Sequence, residues 1–430
     1  MWFRRDLRLG DHPALHAAVA TGLPVVPLFV VDPAFAGSGA PRRAYMTEAL
    51  RSLDRSIDGA LVYRVGDPTI VVPRLAAEVG AEAVFVSRDF GSYGRRRDSV
   101  VAERLRADGR SLLGRGSPYA VEPGSIVKDD GTPYAMFTPF LKRWRTANVA
   151  APLDEPEIDW LGAPTIQCDG PPADVDASFQ LADVGEVAAR SRWSRFAAGP
   201  LHVYDEQRNL PANDASSHMS ADLRWGVVHP RQLMADLAPT KAETVFASEL
   251  AWRDFYADLV HRRPESLREN LDRRMDAVQV DTDQRARDRF SMWCAGRTGY
   301  SIVDAGMRQL LAIGWMHNRV RMIAASFLVK DLHLPWQWGA RHFMNHLVDG
   351  DAASNAHGWQ WAAGTGTDAA PYYRVFNPTT QAERFDPDGE FARRWIPEFG
   401  GPAYPSPMVD HAAERIEALR RYRLVAASSR

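Results

Sequence analysis

The chain has 430 residues, 45% hydrophobic and 25% charged, with a formal net charge of −2. A single hydrophobic core stops growing below that length, so two domains are expected, and the composition is that of a globular chain. The near balance of charge excludes a histone-like polycation but leaves room for a local basic groove.

No apolar run reaches membrane-spanning length, and the opening MWFRRDLRLGDHPAL has no apolar stretch of the kind a secretory signal needs. Cys168 and Cys294 lack CxxC or metal-ligand spacing. They read as structural thiols of a cytoplasmic protein, with no metal site. The 13 Trp are many for such a bulky, usually scarce residue, so stacking or redox use has to be weighed against core packing.

In chain order, MWF supplies a very short first strand, one that a start a few residues too late would shorten. LPVVPLFVVD (23–32), ALVYRVGD (60–67) and AEAVFVSRD (81–89) follow as Val-rich buried strands. Helical spacing between and after them, at 42–57, 67–79 and 98–109, predicts βαβ units and a parallel, Rossmann-like sheet over 1–124. Residues 125–187, rich in Pro, Gly and Asp, read as a long surface connector. From 188 to 430 amphipathic helical segments dominate, so the fold class is α/β followed by an all-helical domain.

Within the helical half, SELAWRDFY (248–256) puts Glu249, Trp252, Arg253 and Tyr256 on one helix face: an acid, an aromatic plate, a cation and a phenol. Alone, such a segment is most often an ordinary amphipathic helix. NDASSHMSADLRWG (213–226) clusters hydroxyls before a helix, which alone signals a cap more often than a phosphate site. DGDAASNAHGWQWAAGTGTDAAPYYRVFNPTTQ (349–381) gathers two carboxylates, an Asn and a Trp-x-Trp pair. That pair alone would be core packing.

Taken in order with WFRRDLRLGDHPAL and GMRQLLAIGWMHNRVRMIAASFLVKDLHLPWQWG (306–339), these segments resemble the photolyase/cryptochrome family over nearly the whole chain, most closely the class I cyclobutane pyrimidine dimer DNA photolyases. The resemblance implies a carbon–carbon lyase that repairs ultraviolet-damaged DNA with light. Excited reduced FAD passes an electron to a flipped-out dimer, and base flipping is the strategy such enzymes share. It divides the chain into an antenna domain (1–124), a linker (125–187) and an FAD- and DNA-binding domain (188–430), acting as a monomer.

The resemblance also assigns residues. Glu249 contacts the damaged pyrimidines, Trp252 and Trp361 form the walls around them, and Arg253, Tyr256, Asn318 and Met322 complete the pocket. Arg208, Arg319 and Gln381 contact DNA. FAD is held by Tyr204, Phe246, the loop Ser216, Ser217, His218, Met219 and Ser220, and by Arg321, Asp349, Gly350 and Asp351, with Arg321 paired to Asp349. Asn355 lies beside flavin N5, where a neutral amide can accept a hydrogen bond. The loop departs from the usual Thr-Ser-x-Leu-Ser at Ser216 and Met219. Trp359 and Trp336 match the first two indoles of an electron chain, but the third position falls on Asp283.

Arg262, Arg263, Arg273 and Arg274 read as solvated helix faces. An antenna chromophore, a deazaflavin (8-HDF) or methenyltetrahydrofolate, is expected near 36–43 and 88–98. A cryptochrome-like photoreceptor and a (6-4) photoproduct photolyase are the alternatives. Asn355, Glu249 and Met322 disfavour the first; Asn318 and Met322, where the second places other residues including a catalytic His, disfavour that one.

Overall fold

The computed structural model describes residues 1–163, 165–175, 181–368 and 374–428. Part of the expected connector (164 and 176–180) and the AAPYY of the 349–381 stretch (369–373) lie outside them.

Among the described residues there are five short strands: β1 (Trp2–Phe3), β2 (Leu28–Val31), β3 (Val62–Val65), β4 (Ala83–Val86) and β5 (Ser111–Gly114). All pairings are parallel, in the order β1-β2-β3 with a separate β4-β5 pair, and β1 lies beside β4. Period-two alternation sends Phe3, Phe29, Tyr63 and Phe85 into one core and Trp2, Leu28, Val62 and Val84 into another, so both faces are covered. The helices of this half are α1 (Pro13–Val19), α2 (Ala40–Ser56), α3 (Pro68–Glu78) and α4 (Ser92–Ala107). β5 and α1 went unanticipated.

Residues 125–187 are more than a surface connector. Phe137–Trp144 forms α5, with Phe137, Phe140 and Trp144 buried at helical spacing against the long helix Lys241–Arg262. Its two turns lie between flanks rich in Pro and Gly, too short a run for the periodicity to stand out. Farther on, Val25 pairs with Trp160, and Asp169 N–H donates to the Tyr63 carbonyl at 2.9 Å, so this segment covers the open edge of β3.

The remaining helices are α6 (Glu186–Ala197), α7 (Tyr204–Gln207), α8 (Ser220–Trp225), α9 (Pro230–Ala235), α10 (Lys241–Arg262), α11 (Gln284–Cys294) and α12 (Ser301–Ile313). After them come α13 (Asn318–Ser326), α14 (Trp336–His346), α15 (Ala352–Ala363), α16 (Pro378–Phe385), α17 (Glu390–Trp395) and α18 (His411–Ser428). Thr240 caps α10 by accepting from Glu243 N–H, and Asp351 caps α15 through Ser354 N–H. One core cluster runs from Met1 through α5 to Leu259 on α10; a second holds the helices from Ala286 to Ile396. Among the described residues no helix is long and apolar enough to cross a membrane.

Candidate functional site

α15 packs against α10, α13 and α14, and carries Asn355, Trp359 and Trp361 among them. Between α10 and α15, Tyr256 stacks on His357 with centroids 5.5 Å apart and planes 12° from parallel. Burial lowers the His357 pKa to about 4, so the ring between the helices is neutral at pH 7.

On α10, Glu249 is ion-paired with Arg208 at 2.7 Å, and that guanidinium sits 5.3 Å over the Tyr204 ring. Tyr204 is set edge-on against Phe246, which is buried among Trp193 and Phe196. Trp252 lies beside Tyr256, and its ring is stacked on Phe137 of α5 at 3.5 Å and 10°. Trp361 is half-buried and tilts on Phe376 at 6.4 Å.

Arg253 is not brought to this face. Its guanidinium donates to the carbonyls of Pro118 (2.7 Å) and Leu223 (3.0 Å) and covers Tyr119. Four-residue arithmetic put it with Glu249 and Trp252, but a long side chain can leave its face for better partners. Arg263, Arg273 and Arg274 are exposed and pair with nearby carboxylates, as expected of a solvated face. Arg262 departs from that expectation: it is half-buried, pairs with buried Asp258 at 2.9 Å and donates to the Gly124 carbonyl at 3.2 Å, anchoring the start of the connector.

The expected pair of Arg321 and Asp349 is present at 2.8 Å, and Arg321 Nε also donates to the Met316 carbonyl. Asp349 is 6% exposed, yet its Oδ1 has no partner among the described residues. Gly350 offers its carbonyl to Arg224 Nε at 3.2 Å. Asp351 faces Arg224 at 3.7 Å and Arg5 at 3.9 Å; burial pushes its pKa up, but these guanidiniums hold it below the ordinary carboxylate range. Burial and the charge of Arg5 in turn lower Arg224 to about 10. Arg5, Asp89, Arg224 and Asp351 thus form a half-buried charged seam between the α/β half and the helices, built from residues far apart in sequence.

Asn355 Nδ2 donates to the Ala340 carbonyl at 2.9 Å, which leaves the amide oxygen as the free acceptor. Asp349 Oδ1 and Arg224 Nη1 are buried polar atoms without a partner among the described residues, the kind of group a bound polar ligand satisfies.

In the hydroxyl-rich loop, α8 starts at Ser220 and its N-cap, Met219, makes no side-chain cap. Met219 is buried in the core, His218 has φ +53° and pairs with Asp214, and Ser217 Oγ accepts from Met219 N–H. The Ser216 and Ser220 hydroxyls make no hydrogen bond within the described residues. His218 packs on Trp315 at 4.4 Å, bringing the loop toward the segment that carries Asn318 and Arg321. There Asn318 is exposed at the start of α13, and Met322 is half-buried. Arg319 bonds Asn209 at 2.7 Å and covers the Phe385 ring, placing it beside α16, which carries Gln381. His317 caps α13, and burial with nearby Arg321 lowers its pKa to about 3.

Trp359 is 2% exposed and lies directly over Gly339, one helical turn from Trp336 on α14. It meets Trp293 edge-on at 6.0 Å, and Trp336 Nε1 donates to Asn270. Asp283 caps α11 through Ala286 N–H and lines an exposed polar cleft of about 310 Å³ with Arg289, His333 and Glu414. A Cβ at 339 would overlap the Trp359 ring. Gly339→Ala is therefore expected to cost roughly 1–3 kcal/mol of stability by overpacking. The loss should appear as a lower denaturation midpoint, with Gly358→Ala, where a Cβ meets nothing, as the control.

Residues 1–157 match the family profile described as DNA photolyase, and residues 246–402 the profile described as the FAD binding domain of DNA photolyase. A deoxyribodipyrimidine photo-lyase of Thermus thermophilus is 39% identical, covering 98% of this chain and 96% of its own. The crystal structure of a class III photolyase from Agrobacterium tumefaciens superposes with a TM-score of 0.91 at 34% identity over 99% of this chain and 97% of its own. A cryptochrome from Synechocystis reaches 0.88 at 26% identity over 97% and 98%. Identity of this level over nearly full length, with both profiles in register, establishes that the chain belongs to the DNA photolyase family.

Proposed function

We propose that the chain is an FAD-dependent photolyase that repairs cyclobutane pyrimidine dimers, with its antenna unit in 1–124 and its FAD- and DNA-binding unit in 188–430. The observation that carries the reading is the α10 face: it bears Glu249, Trp252 and Tyr256 and packs against α15, where Tyr256 stacks on His357. FAD, when bound, supplies the light-driven electron.

This chain's residues supply the rest. Arg321, Asp349, Gly350 and Asp351 orient the flavin ring, while Tyr204, Phe246 and the Ser216–Ser220 loop hold the remainder. Asn355 offers an acceptor without a mobile proton. Trp252 and Trp361 exclude water from the flipped bases. A DNA phosphate draws Arg208 away from Glu249, with which it is now paired at 2.7 Å, and leaves that side chain free to face the lesion. Arg319 and Gln381 hold the backbone on either side.

The (6-4) alternative is disfavoured by Asn318 and Met322 on α13, which stand where the resemblance places other residues, notably a catalytic His, in such enzymes. The antenna chromophore is expected near 36–43 and 88–98, and a cleft of about 410 Å³ lined by Asp32, Tyr93 and Arg97 adjoins the second of these segments.

The test is repair of oligonucleotides carrying one cyclobutane dimer or one (6-4) photoproduct. Blue light should restore only the first, and binding should weaken steeply with salt because phosphates dominate affinity. Repair in the dark, or of (6-4) lesions alone, overturns the assignment.

A further inference from the structure

The lesion wall on α10 is backed by a residue from the connector. Phe137 is 7% exposed and lies flat against Trp252, centroids 3.5 Å apart and planes within 10°. That contact covers one face of the indole while leaving Trp252 half-exposed. Phe137 is held from behind: it meets Phe255 at 5.8 Å, and farther along α5 Phe140 packs on Phe255 and Trp144 Nε1 donates to Asp254 at 2.9 Å.

The same residue is tied to the other wall. Seven residues beyond Trp361, Asp368 accepts from Phe137 N–H at 3.2 Å, and Thr367 Oγ1 donates to the Ala135 carbonyl. Asp368 takes φ +49°, a conformation in which short polar residues are favoured over bulky ones. The turn into α5 therefore touches both the indole of α10 and the chain that leaves α15.

We propose that Phe137 is a positioning residue for lesion recognition: it fixes the plane of Trp252 and, through Asp368, the separation of the two aromatic walls. The proposal rests on the reading of Trp252 and Trp361 as those walls. An aromatic plate that must be ordered when DNA arrives loses binding free energy to that ordering, and a plate already clamped by a second ring does not. The benefit falls on bases that enter the pocket, and contacts to phosphates gain nothing from it.

The test compares affinity for dimer-containing and undamaged DNA in the flavin-loaded protein. Phe137→Ala is expected to lower affinity for dimer DNA by about 5- to 20-fold, with undamaged-DNA affinity, flavin content and repair per absorbed photon in the bound complex within twofold of wild type. Phe137→Tyr should restore the ratio, and Asp368→Ala should reduce it in the same direction. If Phe137→Ala fails to fold, Phe137→Leu keeps volume while removing the flat ring and is expected to show the same loss of ratio. The double variant with Trp252→Ala should be no worse than Trp252→Ala alone.

A folded Phe137→Ala or Phe137→Leu that keeps the wild-type ratio overturns the proposal, as does equal loss of affinity for both DNAs. If Trp252→Ala itself leaves the ratio unchanged, the wall reading falls and takes the proposal with it, an outcome distinct from failure of Phe137 alone.

Discussion

Trp359→Phe is expected to reduce light-driven reduction of oxidised FAD to background while leaving repair by chemically pre-reduced enzyme intact. Trp359 is the buried indole of α15, seated on Gly339 and in ring contact with Trp293. Beyond it, the chain expected from the family ends early. Trp336 is present and buried, but the outer position expected from motif spacing falls on Asp283, a helix cap in a polar cleft, and a carboxylate is no substitute for an indole as a one-electron donor.

The wild type should consequently reduce its flavin slowly. A second line of rings is available: Trp293 stacks on Phe290 at 5.8 Å, and Phe290 meets the half-exposed Trp338 at 5.4 Å. Transient absorption separates the routes. Loss of the residual reaction in Trp336→Phe assigns it to the α14 indole, whereas loss in Trp293→Phe or Trp338→Phe assigns it to the second line. Rapid reduction that survives all three changes would refute both.

The second large effect concerns the pair on α10. Trp252→Ala should weaken binding of dimer DNA by about 1–3 kcal/mol, the usual value of one lost stacking plate. Glu249→Ala should leave affinity closer to wild type and lower the repair quantum yield, because its role begins when charge reaches the lesion. Its removal also frees Arg208, now paired at 2.7 Å, to meet a phosphate. Affinity of Glu249→Ala for undamaged DNA should therefore rise and become more salt-dependent. Parallel losses of affinity and yield in both variants would dissolve the separation of roles.

These residues were accessible from sequence for different reasons. The strands announced themselves because Val-rich runs buried on both faces need no alternation to be seen, and Trp2–Phe3 was legible only as the missing partner of β2. β5, with a single SLLG, lacked enough apolar residues to register. The flavin and lesion residues were legible through motif order, since no periodicity distinguishes a Trp that faces a ligand from one that faces a core. Arg253 was misplaced by helix arithmetic that ignores side-chain reach. Phe137 and Gly339 were invisible because each acts on a residue far away in sequence, at Trp252 and Trp359. The charged seam of Arg5, Asp89 and Arg224 has the same origin.

The core cluster that joins Met1 and Phe3 to Phe246, Phe255 and Leu259 has a consequence for how the chain is born. The first strand leaves the ribosome more than two hundred residues before the last side chains that cover its core, so at about 5–20 residues per second it waits on the order of ten seconds or longer for them. Closing contacts of such sequence separation is also slow for entropic reasons. A nascent chain stalled before α10 should therefore be sensitive to protease and bind chaperones, and release of α10 from the tunnel should be the step at which protection of the α/β half appears.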